Sequence, residues 1–361
     1  METVLAKPRT GDGNSPRPKK PEIGRVKILF VSTRKAKPSF RFRVEQVLPF
    51  YRANGHECEV AFLPDSLWSR FQLYRSMKRF DVVFIQKRLL SRPELHFVRR
   101  NAKRLIYDLD DAIMFNGQGV SEGKRGTRFR AMVRTADLTI CGNQYLAELT
   151  SQHTDRWTII PTPIDADRYQ RCSQPELEKP DNITIGWTGS RSTNRYLNGL
   201  FPVLSKLSGN VAVKIISDVT DGLDFERLGR VPFTFIPWSP EIEISETATF
   251  DIGVMPLPDD LWTRGKCGFK ALQYMSLGIP AVCSPVGVNS TIITHGQNGF
   301  LANSSDEWFQ CLSKLVDESS LRNHIGTAAR TRIETAYALA VVGSQFVAAI
   351  QPAFARQSQI A

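Results

Sequence analysis

The stretch RGKCGFKALQYMSLGIPAVCSPVG runs from Arg264 to Gly287 and holds the reading of the whole chain. Its pattern predicts a helix starting near Gly268. Gly278-Ile279-Pro280 ends that helix and opens a short buried strand, PAVCS at 280–284. Lys266, Lys270 and Gln273 fall at i, i+4 and i+7, with Lys266 just before the first turn. A helix start already exposes unpaired N–H groups and carries partial positive charge. Ammonium groups placed there oppose helix stability, and they make sense when a dianion docks. Gly265 and Gly268 let the backbone approach such a ligand closely.

The helix-to-buried-strand step recurs outward in both directions. VKILFV (26–31), CEVAFL (58–63), DVVFIQ (81–86), RLIYDLD (104–110), LTICG (138–142) and WTIIP (157–161) read as buried strands. Helical patterns separate them, such as FRFRVEQVLPFYRANG (40–55) with Gly55 as its stop. The Pro-flanked IPTPID (160–165) and the polar CSQPELEKPDN (172–182) mark a hinge. The alternation then restarts with ITIGWTG (183–189), VAVKIIS (211–217), FTFIPW (233–238), DIGVMPL (251–257), PAVCS and GFLA (299–302). Such alternation implies parallel sheets covered by helices on both faces. Two such α/β domains in sequence place a cleft between the carboxyl ends of their sheets.

At 361 residues the chain is long for one core and comfortable for two. Its six cysteines, at 58, 141, 172, 267, 283 and 311, include no C-x-x-C pair, so neither a zinc site nor a disulfide framework is expected. A reducing cytosol is the natural compartment. Residues 1–25 read as a basic disordered tail without a signal-peptide core, and no run reaches 18 apolar residues. The net charge of +11 is uneven: residues 1–163 carry 30 Lys and Arg against 16 Asp and Glu, the remainder 17 against 20. Either this is a solvated basic surface, or the first half faces something anionic.

Three further segments carry candidate chemistry. WTGSRSTN (187–194) follows the first strand of the second half: Gly189 permits a tight turn, Ser190 or Ser192 suits a helix cap, and Arg191 adds charge beside an anion. VSTRKAKPSFRFRVEQ follows the first strand of the first half with no G-x-G-x-x-G. It offers Arg34, Lys35, Lys37, Arg41 and Arg43, with Ser39 as a helix cap, and is read as gripping a phosphate, of one substrate or the other, with Arg41 as a candidate catalytic residue. YDLDDAIM (107–114) sets Asp108, Asp110 and Asp111 at the end of the fourth strand, where Asp110 or Asp111 would orient a substrate hydroxyl or serve as base, and where clustered carboxylates also suggest a divalent metal. The structural readings of these segments are a common βα turn, plain surface charge, and capping or salt-bridging aspartates. None of the five histidines falls in a recognisable triad motif.

The order PLPDD, KCGFKALQYMSLGIPAVCSPVG, GQNGFL resembles the donor-binding region of group 1 (family 4) glycosyltransferases, which have the GT-B fold. GWTGSRSTNRYL, ADLTICGNQYLAEL with IIPTPIDADRY, and GFLANSSDEW extend the resemblance over roughly 26–350. It implies two Rossmann-like doubly wound domains with an inter-domain cleft: an acceptor-side domain at 26–163, a linker at 164–182, a donor-binding domain at 183–335, and a closing helix and tail at 336–361 that cross back to the first. It also implies transfer from a nucleotide-diphosphate sugar with retention at the anomeric carbon. The family's Glu-x7-Glu is absent: Gly265 and Gln273 stand in its two positions. Gln273 is expected at the ribose, Lys266 and Lys270 on the diphosphate, and Trp238 or Leu257 at the base. No metal or other cofactor is expected, because lysines, arginines and helix starts would neutralise the leaving group.

The expected partners are thus a nucleotide-diphosphate sugar and an anionic, lipid-linked or saccharide acceptor, with a cytoplasmic location and a peripheral seat on the inner membrane face. Nucleic acid is not expected, since no binding motif or aromatic platform accompanies the charge. A sugar-nucleotide epimerase of the same fold and a non-catalytic GT-B scaffold are the alternatives.

Overall fold

A computed structural model describes residues 24–33, 38–115, 123–170, 182–207 and 211–351. The basic tail, Arg34, Lys35 and Lys37, and most of the polar linker lie outside the described residues.

Two six-stranded parallel sheets form the frame. The first contains β1 (Lys27–Ser32), β2 (Glu57–Phe62), β3 (Val82–Gln86), β4 (Arg104–Leu109), β5 (Leu138–Cys141) and β6 (Trp157–Ile159), in the order β2-β1-β3-β4-β5-β6. The second contains β7 (Ile183–Thr188), β8 (Val211–Ser217), β9 (Phe233–Pro237), β10 (Ile252–Met255), β11 (Ala281–Cys283) and β12 (Phe300–Leu301), in the order β12-β11-β10-β7-β8-β9. All twelve apolar runs are strands, because a strand covered on both faces must be apolar along its length; β3 is buried at every residue. Each sheet has a point where the chain reverses its direction of travel, between β1 and β3 in the first and between β7 and β10 in the second. Ligands of open parallel sheets bind outside the carboxyl ends of the strands at such points.

Residues 40–55 do not form one helix. A helix Pro38–Arg43 breaks at Val44 (φ −124°, ψ −67°), and after a single 3-10 turn a second helix, Leu48–Ala53, begins with Pro49 in its first turn. Proline lacks an N–H and suits a helix start, so it resets the helix rather than continuing it. The break changes the meaning of the arginines: Arg41 and Arg43 fall in the last turn of the first helix, where cations complement the dipole.

The helix Leu339–Ala349 packs on the first domain. Val342 and Phe346 join the cluster of Ile28, Phe30 and Tyr51, and the Tyr51 hydroxyl donates to the Phe346 carbonyl at 2.9 Å. Among the described residues no helix is long and apolar enough to cross a membrane.

Candidate active site

The two domains meet where the carboxyl ends of β4 and β5 face the segment before the helix Phe269–Ser276. The Asn143 side-chain amide donates to the Lys266 carbonyl at 3.0 Å, and the Cys267 thiol donates to the Asp110 carbonyl at 3.2 Å. Burial pushes that thiol up to about 12, so it stays protonated. A Cβ on Gly265 would lie 2.4 Å from the Ala112 Cβ and 2.7 Å from its backbone nitrogen. Gly265 therefore does more than lack a carboxylate. Its bare Cα is what lets the second domain seat against the Asp110-Asp111-Ala112 loop.

In the second domain, Lys270 lies in the first turn of the helix Phe269–Ser276, half-buried, with its Nζ 5.5 Å from the centre of the Trp187 ring. Trp187 is the penultimate residue of β7, at the reversal point of the second sheet, and is fully buried. Gly189 makes room for its indole: a Cβ there would fall 2.0 Å from the ring. Burial, and then the charge of Lys266, lower the Lys270 pKa to about 7. Lys266 lies over Trp262 at 5.4 Å. Among the described residues neither lysine has a carboxylate partner. Leu257, at the end of β10 on the same edge, is buried, its N–H donating to Ser284 Oγ at 2.9 Å.

Other expected residues are already engaged. Arg43 is wholly buried: its Nε and Nη2 donate to the Asp108 carboxylate at 2.6–3.1 Å, and its Nη1 to the Ile160 carbonyl at 3.0 Å. Burial opposes its charge, but Asp108 outweighs burial and raises its pKa. Arg43 cannot reach an acceptor or a phosphate, so that assignment is withdrawn in favour of a structural pair. Arg191 is exposed and pairs with Asp221 at 2.7 Å, while its own N–H is taken by the Asp218 carboxylate at 2.7 Å. Ser190 donates its N–H to Thr193 Oγ1 at 3.2 Å. The helix start at 190–191 is thus capped from within the protein, and does not stand open to a diphosphate.

Gln273 is also corrected. It is 2% exposed, and its amide donates to Glu243 Oε1 at 3.0 Å and to the Tyr169 hydroxyl at 3.2 Å. Tyr169 donates to Glu243 Oε2 at 3.3 Å, and the Trp238 indole N–H to Oε1 at 3.4 Å. Arg41, from the first domain, closes the cluster by pairing with the same carboxylate. These residues form a clasp between the domains, in which Trp238 and Gln273 are spent on protein contacts. A pocket of about 250 Å³ beside it is lined by Arg41, Phe42, Glu45 and Gln46 on one side and by Asp165, Arg168 and Tyr169 on the other. Its lining contains neither Lys266 nor Lys270.

In the first domain, Asp110 and Asp111 stand together at the end of β4, and Lys87 joins them from the end of β3 at 3.4 and 3.1 Å. Lys87 also donates to Ser39 Oγ at 3.2 Å and, among the described residues, is the one non-glycine residue with positive φ, 47°. A lysine held in that sparsely populated region marks a constrained site. Burial alone would raise the Asp110 pKa; the charges of Lys87 and Arg43 outweigh it and hold the carboxyl below its usual range. Lys87, Glu243 and Tyr169 were missed in the sequence. Lys87 alone had a local signal, as the first polar residue past a strand. Among the described residues no cluster of three or more His, Cys, Asp or Glu is placed to hold a metal ion.

Comparison with known proteins fits this geometry. Residues 210–318 match the family model described as glycosyl transferases group 1. No curated relative matches the chain. Among solved structures, Anabaena HepE in complex with UDP and glucose is 16% identical, with a TM-score of 0.70 over 90% of this chain and 98% of that one. Sucrose-phosphate synthase from Thermosynechococcus elongatus is 14% identical, with a TM-score of 0.74 over 92% of this chain and 100% of that one. A glycosyltransferase from Rickettsia africae is 14% identical, with a TM-score of 0.72 over 93% and 100%. Residues 210–318 are thus similar to the group 1 glycosyltransferases, and the chain as a whole shares the GT-B fold of these solved structures.

Proposed function

We propose that the protein moves a sugar from a nucleotide-diphosphate sugar, bound against the second domain, to a lipid-linked or saccharide acceptor held by the first. One observation carries this reading. Arg41, Arg43, Lys87 and Arg191 all have carboxylate partners, whereas Lys266 and Lys270 have none among the described residues. Two unpaired ammonium groups at a helix start, at the carboxyl edge of a parallel sheet, suit a diphosphate.

In the reaction the bond between the anomeric carbon and the diphosphate oxygen breaks, and a bond to the acceptor oxygen forms. Lys266 and Lys270 stabilise the charge that gathers on the leaving diphosphate. Asp110 or Asp111, oriented by Lys87, takes the proton that the acceptor hydroxyl releases as its oxygen bonds to the anomeric carbon, while the diphosphate leaves as an anion. Retention at the anomeric carbon follows from the resemblance to the group 1 enzymes. HepE, a structural neighbour, was crystallised with UDP and glucose, which supports a nucleotide-sugar donor here.

The test is a thermal-shift screen against UDP-, GDP-, ADP- and TDP-sugars, followed by product analysis with and without acceptor. One nucleotide class should raise the melting temperature, and free nucleotide should accumulate only with acceptor. Sugar conversion with donor alone would indicate an epimerase. Because Gly265 and Gln273 serve in packing, a scaffold that binds nucleotide without turnover is the second reading.

A further inference from the structure

The first domain carries an apolar tip that the proposed reaction does not use. Four of the eight large hydrophobic residues exposed among the described residues, Phe62, Leu67, Trp68 and Phe71, fall within ten positions. Leu67 and Trp68 are 77% and 67% exposed. They open the helix Leu67–Ser76, and the Trp68 ring stacks on Phe71 at 5.8 Å, which in turn packs on Phe97 of the helix Arg92–Asn101. The outer face of the same helix continues as Arg75, followed by Lys78 and Arg79, all exposed and without ion pairs among the described residues. Residues 62–101 carry nine Lys and Arg against three Asp and Glu, and one of those three, Glu94, is held by Arg70 and Tyr74.

We propose that this face docks on an anionic lipid bilayer, with Leu67, Trp68 and Phe71 entering the headgroup boundary and Arg75, Lys78 and Arg79 meeting the phosphates. A Trp with an apolar ring and a polar N–H belongs at such a boundary. Unpaired basic side chains beside it match a negative surface. Topology gives the docking a direction. The helix starts just after the carboxyl end of β2, so Leu67 and Trp68 lie on the sheet edge that also bears Lys87, Asp110 and Asp111. A membrane at this tip borders the acceptor side of the cleft. The inference goes beyond glycosyl transfer, and lipid binding can fail while donor binding persists.

The experiment is co-sedimentation of the full chain with vesicles of phosphatidylcholine, alone or with phosphatidylglycerol, alongside an isothermal titration with UDP. The wild-type protein should partition onto the anionic vesicles and much less onto the neutral ones. Leu67→Ser with Trp68→Ser should lower that partition by about ten-fold or more, with melting temperature and nucleotide binding unchanged, since both side chains are exposed. Arg75→Gln with Lys78→Gln and Arg79→Gln should weaken binding most at low salt. Absence of wild-type binding to anionic vesicles would overturn the proposal, as would undiminished binding by the serine pair, which would move the contact to the basic tail. A face built for a protein partner would give the first of those results.

Discussion

The ammonium of Lys270 stands 5.5 Å from the centre of the Trp187 ring and has no carboxylate partner among the described residues. Trp187 is the penultimate residue of the strand beside the reversal point of its sheet, and Lys270 lies in the first turn of the helix that faces the same crevice. The aromatic face offsets part of the cost of burying a cation. The remainder shows in the low pKa of about 7. An anion bound there restores the charged form.

That shift sets the pH dependence of donor binding. The free protein releases the Lys270 proton near pH 7, while a bound diphosphate holds it to higher pH. The complex thus carries more protons above pH 7, and affinity must fall as pH rises. Calorimetry at pH 8 in buffers of different ionisation enthalpy should register proton uptake on binding, and uptake should vanish at pH 6.

Placing at position 273 the glutamate that the resemblance supplies should harm the protein. Gln273 Nε2 lies 3.0 Å from Glu243 Oε1, so Gln273→Glu places two carboxylates together in a buried corner. One of them takes a raised pKa in the folded state. The pair is therefore tolerated below the ordinary carboxylate range and becomes destabilising as pH rises through that raised value. At neutral pH the loss should be about 1–3 kcal/mol, read from urea unfolding against the wild type. The difference should shrink towards about pH 4.

Arg43 and Asp108 are predicted to act on stability. Arg43→Ala leaves a fully buried carboxylate without its bidentate partner and should cost about 3–5 kcal/mol in urea unfolding. Replacing both residues by apolar side chains of similar size should recover much of that loss.

Gly265 is a test of domain seating. Gly265→Ala sets a Cβ 2.4 Å from that of Ala112, in the other domain. The interface must open, so the radius of gyration from small-angle scattering should increase and turnover should fall.

The frame was legible in the sequence because parallel strands buried on both faces are short apolar runs, and β3 and β10 need no context to be read. Strand order was not legible, since it is set by packing between distant segments. With it went the reversal points and therefore Lys87, whose partners lie on a neighbouring strand. Arg41 and Arg43 misled because their meaning depends on where one helix ends. Once the chain breaks at Val44, Arg43 turns inward to Asp108 and Arg41 reaches Glu243, 202 residues away. Position 273 misled for the same reason: the resemblance supplied a role, and the neighbouring Glu243, Tyr169 and Trp238 fixed another.

The most direct test removes one charge and keeps its shape. Lys270→Met retains the stem over Trp187 while deleting the ammonium. If the lysine pair holds the leaving diphosphate, titration with the nucleotide diphosphate should show binding greatly weakened, and turnover should fall by about 100-fold or more, with the melting temperature held or raised. Unchanged affinity and turnover in a well-folded Lys270→Met protein would contradict the account.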